Sequence, residues 1–327
     1  MLTTSQFTLA CTLTCIVSLP GCSGDDEPLA DSTTAPADST AAPATSTSDG
    51  PEPEPEPEPT STGAVDPTST GTNSGSTGSA EAVPCAALDV LFVVDDSSTM
   101  AEEQVRLSAA APNFIAAVRA KLPDVAVVHV GVISTDSPAL AVSAGRCGPF
   151  VGGLGFMTQD DNLSLSLVCA AQVGVAGSPD ERPMEMLLAA VDDLANEPGG
   201  LNSDFVRKSA LLVAVIVTDE EDDHEIDPAW GSEGDPPDWF AGLTAIKDGY
   251  AEDIVVLSLV GTPAPNACPP FQWDGKTGAE PAPRISEFTA MFPFGRVGDV
   301  CAPSYDAFFL DAVPVVADAC ASFVPVE

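Results

Sequence analysis

Basic residues are scarce in this 327-residue chain: 11 Lys and Arg stand against 49 Asp and Glu, giving a formal net charge of −38. That balance disfavours nucleic acid and anionic membrane surfaces as partners. Histidine is scarcer still. The two His residues form no His-Glu-x-x-His, and no Gly-x-Ser-x-Gly or Cys-x-x-Cys spacing occurs, which speaks against zinc-protease, esterase-type and structural-zinc chemistry. The apolar segment at the N-terminus is too short for a membrane span, which takes about 20 residues.

What the chain does have is a pair of apolar runs that stop abruptly at acids. The first is Asp89-Val-Leu-Phe-Val-Val followed by Asp95-Asp96-Ser97-Ser98-Thr99-Met100. It reads as a strand buried on both faces, as in a parallel sheet covered by helices, emptying into an oxygen-rich loop. The helix-forming stretch Ala101-Glu-Glu-Gln-Val-Arg-Leu follows, so the oxygens lie at a strand's carboxyl end, where open α/β sheets place ligands. Such oxygens suit a hard divalent cation. Thr99 with Glu102 also matches a helix capping box, so a plain cap is the alternative. The second run is Ala210-Leu-Leu-Val-Ala-Val-Ile-Val-Thr218 ending at Asp219-Glu-Glu-Asp-Asp-His224-Glu225. A solvated acidic loop is the plain reading of that cluster, and a second Ca²⁺ the functional one.

The spacing Asp95-x-Ser97-x-Thr99 resembles the DxSxS signature of von Willebrand factor A domains, with Thr in place of the last Ser. The strand ending in Thr218-Asp219 resembles the one that supplies the distal Asp of the metal-ion-dependent adhesion site in that family. The resemblance implies a doubly wound, mostly parallel central sheet with helices on both faces. It also implies a metal site on Asp95, Ser97, Thr99 and Asp219, with Mg²⁺ as the first expectation and Ca²⁺ or Mn²⁺ as alternatives. Family members carry a Thr as the middle ligand in the loop before the helix that the pattern places at Asp180 to Leu194 here, and no Thr stands there in this chain. Ser178 is the nearest hydroxyl, with Asp180 and Glu181 as oxygen alternatives; a carboxylate there would lower the net charge at the metal and weaken its pull on an acidic ligand.

Residues 1–21 read as a signal peptide, and Leu19-Pro-Gly-Cys22 resembles a bacterial lipobox whose Cys22 is lipidated, although no Lys or Arg precedes the apolar segment. Ser23 then points to outer-membrane sorting by the rule of enteric bacteria, with the periplasmic or surface face left open. Residues 22–84 are Ser, Thr, Pro, Ala, Gly and acids around Pro51-Glu-Pro-Glu-Pro-Glu-Pro-Glu-Pro59. This composition predicts a disordered tether, with the Pro-Glu repeat a semi-rigid rod of roughly 28 Å. The tether holds twelve acids and no base, so −38 minus −12 leaves −26 on residues 85–327.

Those residues are expected to form one von Willebrand A-like domain with an irregular, Gly-rich insertion at 138–176. Pro112 is expected to kink or split the first helix, and His129, among valines, to be a core histidine. Six cysteines remain after the signal and Cys22. Chain order suggests Cys147 with Cys169, Cys268 with Cys301, and Cys85 closing onto Cys320, because domain termini often lie together. Trp230 and Trp239 flank a Gly/Pro loop after the acids, either as partner contacts on the rim or as pins of their own loop.

The expected function is an exported, lipid-anchored binding module in which the Asp or Glu of a protein ligand completes the cation's coordination. The alternatives are a metal-dependent hydrolase using the Asp219–Glu225 cluster, kept open by His224, and a scaffold that no longer uses metal.

Overall fold

The computed structural model describes residues 85–223, 230–272 and 277–323. The signal segment, Cys22, the tether and His224 lie outside them. Among the described residues, eight α-helices and six strands follow in the order β1 (Ala87–Val94), α1 (Ala101–Lys121), β2 (Val127–Ser134), α2 (Ala141–Cys147), β3 (Met157–Thr158), α3 (Leu163–Ala170), α4 (Pro183–Val191), α5 (Asp193–Asn196), β4 (Leu211–Val217), α6 (Pro236–Ala245), β5 (Ile254–Val260), α7 (Pro283–Ala290), β6 (Phe294–Asp299) and α8 (Asp306–Ser322). The sheet order is β3-β2-β1-β4-β5-β6. All pairs are parallel except β2 with the edge strand β3. This is the doubly wound α/β sheet expected from the strand runs.

Period-2 alternation divides each central strand between two cores. Leu88, Val90, Phe92 and Val94 of β1 join a cluster beneath α1, α3 and α8. Leu91 and Val93 join the opposite cluster, beneath α4, α6 and α7. With both faces covered, β1, β4 and β5 are buried along their whole lengths, which is why they read as unbroken apolar runs rather than alternating ones.

The stretch 138–176 departs from the irregular insertion expected. It forms α2, β3 and α3, and β3 supplies a sheet edge by pairing His129 with Thr158 and Val130 with Met157. The helix α1 runs through Pro112 as one element. The strand β6 has no counterpart in the apolar runs because its sequence, Phe-Gly-Arg-Val-Gly-Asp, lies at the less buried edge.

All three disulfides have the expected partners: Cys85–Cys320, Cys147–Cys169 and Cys268–Cys301. They fit folding in an oxidising compartment, hence export. Among the described residues, no helix is long and apolar enough to cross a membrane.

The sheet end away from the acidic loops carries a buried polar lock. Asp89, within β1 and fully buried, accepts hydrogen bonds from the Arg207 backbone N–H at 2.7 Å and from its Nε at 3.0 Å. His129 donates from Nδ1 to the Phe205 carbonyl at 2.8 Å and is, as expected, a satisfied core histidine. Lys247, buried, donates to the carbonyls of Arg207 and Ala210. Burial alone would hold the Asp89 carboxyl far above its ordinary range, and Arg207 opposes that. Arg207→Ala strands a carboxylate in the core, so urea denaturation is expected to show a loss of about 3–5 kcal/mol.

Candidate metal centre

Strand register brings the two acidic loops together. Val94 pairs with Val217 at the carboxyl ends of β1 and β4, and the Asp95 N–H donates to the Val217 carbonyl at 3.0 Å. The crossover from β1 leads to β2 on one side and that from β4 to β5 on the other. The loops therefore sit at the point where the strand order reverses, which is where such sheets open a crevice.

Asp95 is fully buried. Its Oδ1 accepts the Ser97 backbone N–H at 2.7 Å and its Oδ2 the Thr218 hydroxyl at 2.8 Å. From this fixed carboxylate a chain of hydroxyls leads across the crevice. Thr99 Oγ1 donates to Asp219 Oδ1 at 3.1 Å, which uses its one proton, so Ser97 Oγ donates to Thr99 Oγ1 at 2.8 Å. The capping alternative is thereby settled: α1 begins after Met100 with no side-chain cap, and Thr99 turns to Asp219 instead of to the helix.

Of the three oxygens expected as candidates for the middle position, Ser178 and Asp180 are engaged elsewhere. Ser178 accepts the Asp180 N–H on its hydroxyl, and its own N–H donates to Asp136. Asp180 pairs with Arg182. The buried one is Glu181, 4% exposed, with neither carboxylate oxygen hydrogen-bonded and with the charge of Asp95 acting on it. Its pKa is pushed up to about 10, first by burial and then by the charge of Asp95. The same two causes raise Asp219 to about 8, while burial raises Asp95 to about 6. Glu220, also buried, rises to about 7 from burial and the charges of Asp95 and Glu280. The charge of Asp95 raises the other three, and Glu220 raises Glu181 and Asp219, so these four buried acids form a site short of positive charge.

Glycine fixes how the Glu181 segment meets the first loop. The Gly177 N–H donates to the Asp96 carbonyl at 2.8 Å, and a Cβ there would come within 2.7 Å of that oxygen and of the Asp96 carboxyl carbon. Gly177→Ala is expected to cost about 1–3 kcal/mol as the segment backs away, and to weaken divalent-cation binding measured by calorimetry.

Within the acidic run, Glu221 and Asp222 hold neighbouring elements together. Glu221 accepts the N–H groups of Asp222, Arg284 and Ile285, anchoring the start of α7. Asp222 accepts those of Met184 and Ser232 and the Ser232 hydroxyl, tying α4 to the loop before α6. Neither carboxylate is left for a second cation. Trp239, a rim candidate from sequence, is a correction: it is 1% exposed, its Nε1 donates to the Glu233 carbonyl, and the Arg284 guanidinium lies 4.8 Å over its ring. It pins its own loop, because α6 lays it into the core beside Phe288. Trp230 is 43% exposed, next to Gly231, whose N–H donates to Asp180.

The residues fit a divalent cation with oxygen ligands. Ser97 Oγ and Thr99 Oγ1 stand 2.8 Å apart, close to the roughly 2.9 Å between neighbouring ligands of an octahedron with metal–oxygen distances of 2.0–2.1 Å. Neither Glu181 oxygen is hydrogen-bonded, and the Thr135 hydroxyl in its neighbourhood, which lowers its pKa slightly, donates to Asp96 Oδ1 at 3.1 Å. The carboxylates surround these hydroxyls rather than converge, since the only described trio of His, Cys or acid ligand atoms within 4.8 Å of one another is Cys268, Asp299 and Cys301. There the two sulfurs are joined to each other, so the oxidised protein offers no thiolate. Were a divalent cation bound, Ser97 and Thr99 would offer it hydroxyl oxygens and the surrounding carboxylates would balance its charge.

No family profile and no curated protein matches the chain. Among solved structures, proximal thread matrix protein 1 from the mussel byssus is similar at 11% identity and a TM-score of 0.38 over 72% of this chain. This chain spans 49% of that protein. The manganese-loaded TRAP protein of Plasmodium vivax is similar at 11% identity and a TM-score of 0.34, covering 73% of this chain and 75% of that one.

Proposed function

We propose that the chain is a divalent-cation-dependent binding module of the von Willebrand A kind. Its cation is held by Asp95, Ser97, Thr99 and Asp219, with Glu181 in the third protein position, and a protein partner engages the solvent side of the ion. The observation that carries the reading is Glu181: a buried acid among other acids, with neither oxygen hydrogen-bonded, must hold a proton or meet a cation, and no Lys or Arg of the described residues is paired with it. Mg²⁺, Mn²⁺ and Ca²⁺ all take oxygen ligands. Exposed Trp230 offers a partner contact nearby. Within this proposal, Cys22 is the lipid attachment and residues 22–84 the tether that lets the domain reach outward from a bacterial outer membrane, the membrane being met only through the lipid.

Calorimetric titration of Mg²⁺, Mn²⁺ and Ca²⁺ into chelator-stripped protein tests the reading. One site is expected, lost in both Asp95→Ala and Asp219→Ala. Equal binding by the variants, or none by the parent chain, sinks it.

A further inference from the structure

Glu181 changes what the cation can do once bound. A hydroxyl in that position would leave Asp95 and Asp219 to balance a charge of +2, and the ion would still attract an anion. With Glu181, three carboxylates against +2 leave −1, and buried Glu220 adds a fourth. An incoming Asp or Glu would then have to leave water for a site already negative, in a protein whose net charge is −38. Both the Coulomb term and the desolvation cost oppose it.

The geometry points to Glu181 as an internal anionic ligand, so that the loaded site refuses a partner's carboxylate and takes water or a neutral oxygen donor, such as a backbone carbonyl or an amide, in its open position. This inference rests on the cation-binding reading above and replaces the acidic partner expected from the sequence motif. Glu181 is buried where the charge of Asp95 reaches it, neither of its oxygens is hydrogen-bonded, the nearby Thr135 hydroxyl donating to Asp96, and Arg182, its chain neighbour, pairs with Asp180 and Glu185.

The test compares the full chain with Glu181→Thr, which restores a hydroxyl, and Glu181→Gln, which keeps the shape and removes the charge. Mn²⁺ is the probe: its affinity is read by calorimetry, and its bound water by solvent-proton relaxation, with acetate as the carboxylate. The expected result is Mn²⁺ binding weakened by about tenfold or more in both variants, at least the effect of losing a residue that merely supports a ligand. Acetate is expected to displace Mn²⁺-bound water in Glu181→Thr and to leave the parent chain unchanged. Equal Mn²⁺ affinity in all three proteins overturns the role of Glu181 while leaving the cation site standing. Displacement of water by acetate in the parent chain overturns the refusal of carboxylates. Absence of Mn²⁺ binding in the parent chain overturns the cation reading and this inference with it. Should Glu181→Thr not fold, Glu181→Gln carries the affinity comparison, and acetate on the parent chain carries the rest.

Discussion

Chelator-stripped protein is expected to lose stability steadily as pH rises from about 5 to 8, and a divalent cation to restore it at the upper end. Asp95, Glu181, Asp219 and Glu220 have folded pKa values of about 6, 10, 8 and 7, against roughly 4 in an unfolded chain. Between those values the folded state holds more protons than the unfolded one, so raising the pH favours unfolding. One pKa unit is worth about 1.4 kcal/mol. The four groups share one repulsion and do not add, so the combined loss is on the order of 5 kcal/mol. A cation at 100 times its Kd returns about 2.7 kcal/mol by mass action alone. For a domain of this size each kcal/mol moves Tm by roughly 2–4 °C, so scans at pH 5 and pH 8, with chelator and with excess Ca²⁺ or Mg²⁺, make the effect plain. The cation should raise Tm strongly at pH 8 and little at pH 5, where protons already neutralise the site. Glu181→Gln should raise Tm at pH 8 in chelator and lower it in cation, a reversal that a plain packing role would not produce. Equal Tm values at both pH values, with no cation effect, would count against a shared acidic site.

The second large effect concerns the staple Cys85–Cys320, which closes 235 residues. In the chain-entropy account such a cross-link stabilises by about 5 kcal/mol, against about 3 kcal/mol for the 22-residue loop of Cys147–Cys169. Both sulfurs of the longer link are buried between the start of β1 and the end of α8, so the link also holds the strand that carries Asp95. Replacing both cysteines with Ala is expected to lower the guanidinium midpoint more than the same change at Cys147 and Cys169. Cation affinity in the surviving folded protein should be largely kept, because the ligand loops lie at the other end of β1. An equal or smaller loss would mean that native strain or residual structure in the unfolded chain outweighs loop closure.

Much of this was legible in the residues, and the exceptions have physical reasons. The buried strands β1, β2, β4 and β5 stood out because a strand covered on both faces must be apolar throughout, and the loops after them because acids cannot continue such a run. The pairing of Asp95 with Asp219 followed from two strand ends of one sheet. Edge strands β3 and β6 were not legible: one has two residues and the other is half solvated, and neither carries an apolar run. Glu181 was only one of several oxygens in its segment, since sequence does not say which of Ser178, Asp180 and Glu181 turns inward. The Gly177 contact with Asp96 and the engagement of Asp180 by Arg182 and Gly231 decide that. Trp239 misled because an indole beside a Gly/Pro loop looks the same in sequence whether it faces water or, as here, Phe288.

The central claim is that the two strand ends and Glu181 share one cation. Anomalous scattering from crystals soaked in Mn²⁺ tests it most directly. A single strong peak bounded by Asp95, Ser97, Thr99, Glu181 and Asp219 is the expected result. No peak there, or a peak only elsewhere on the surface, would contradict it.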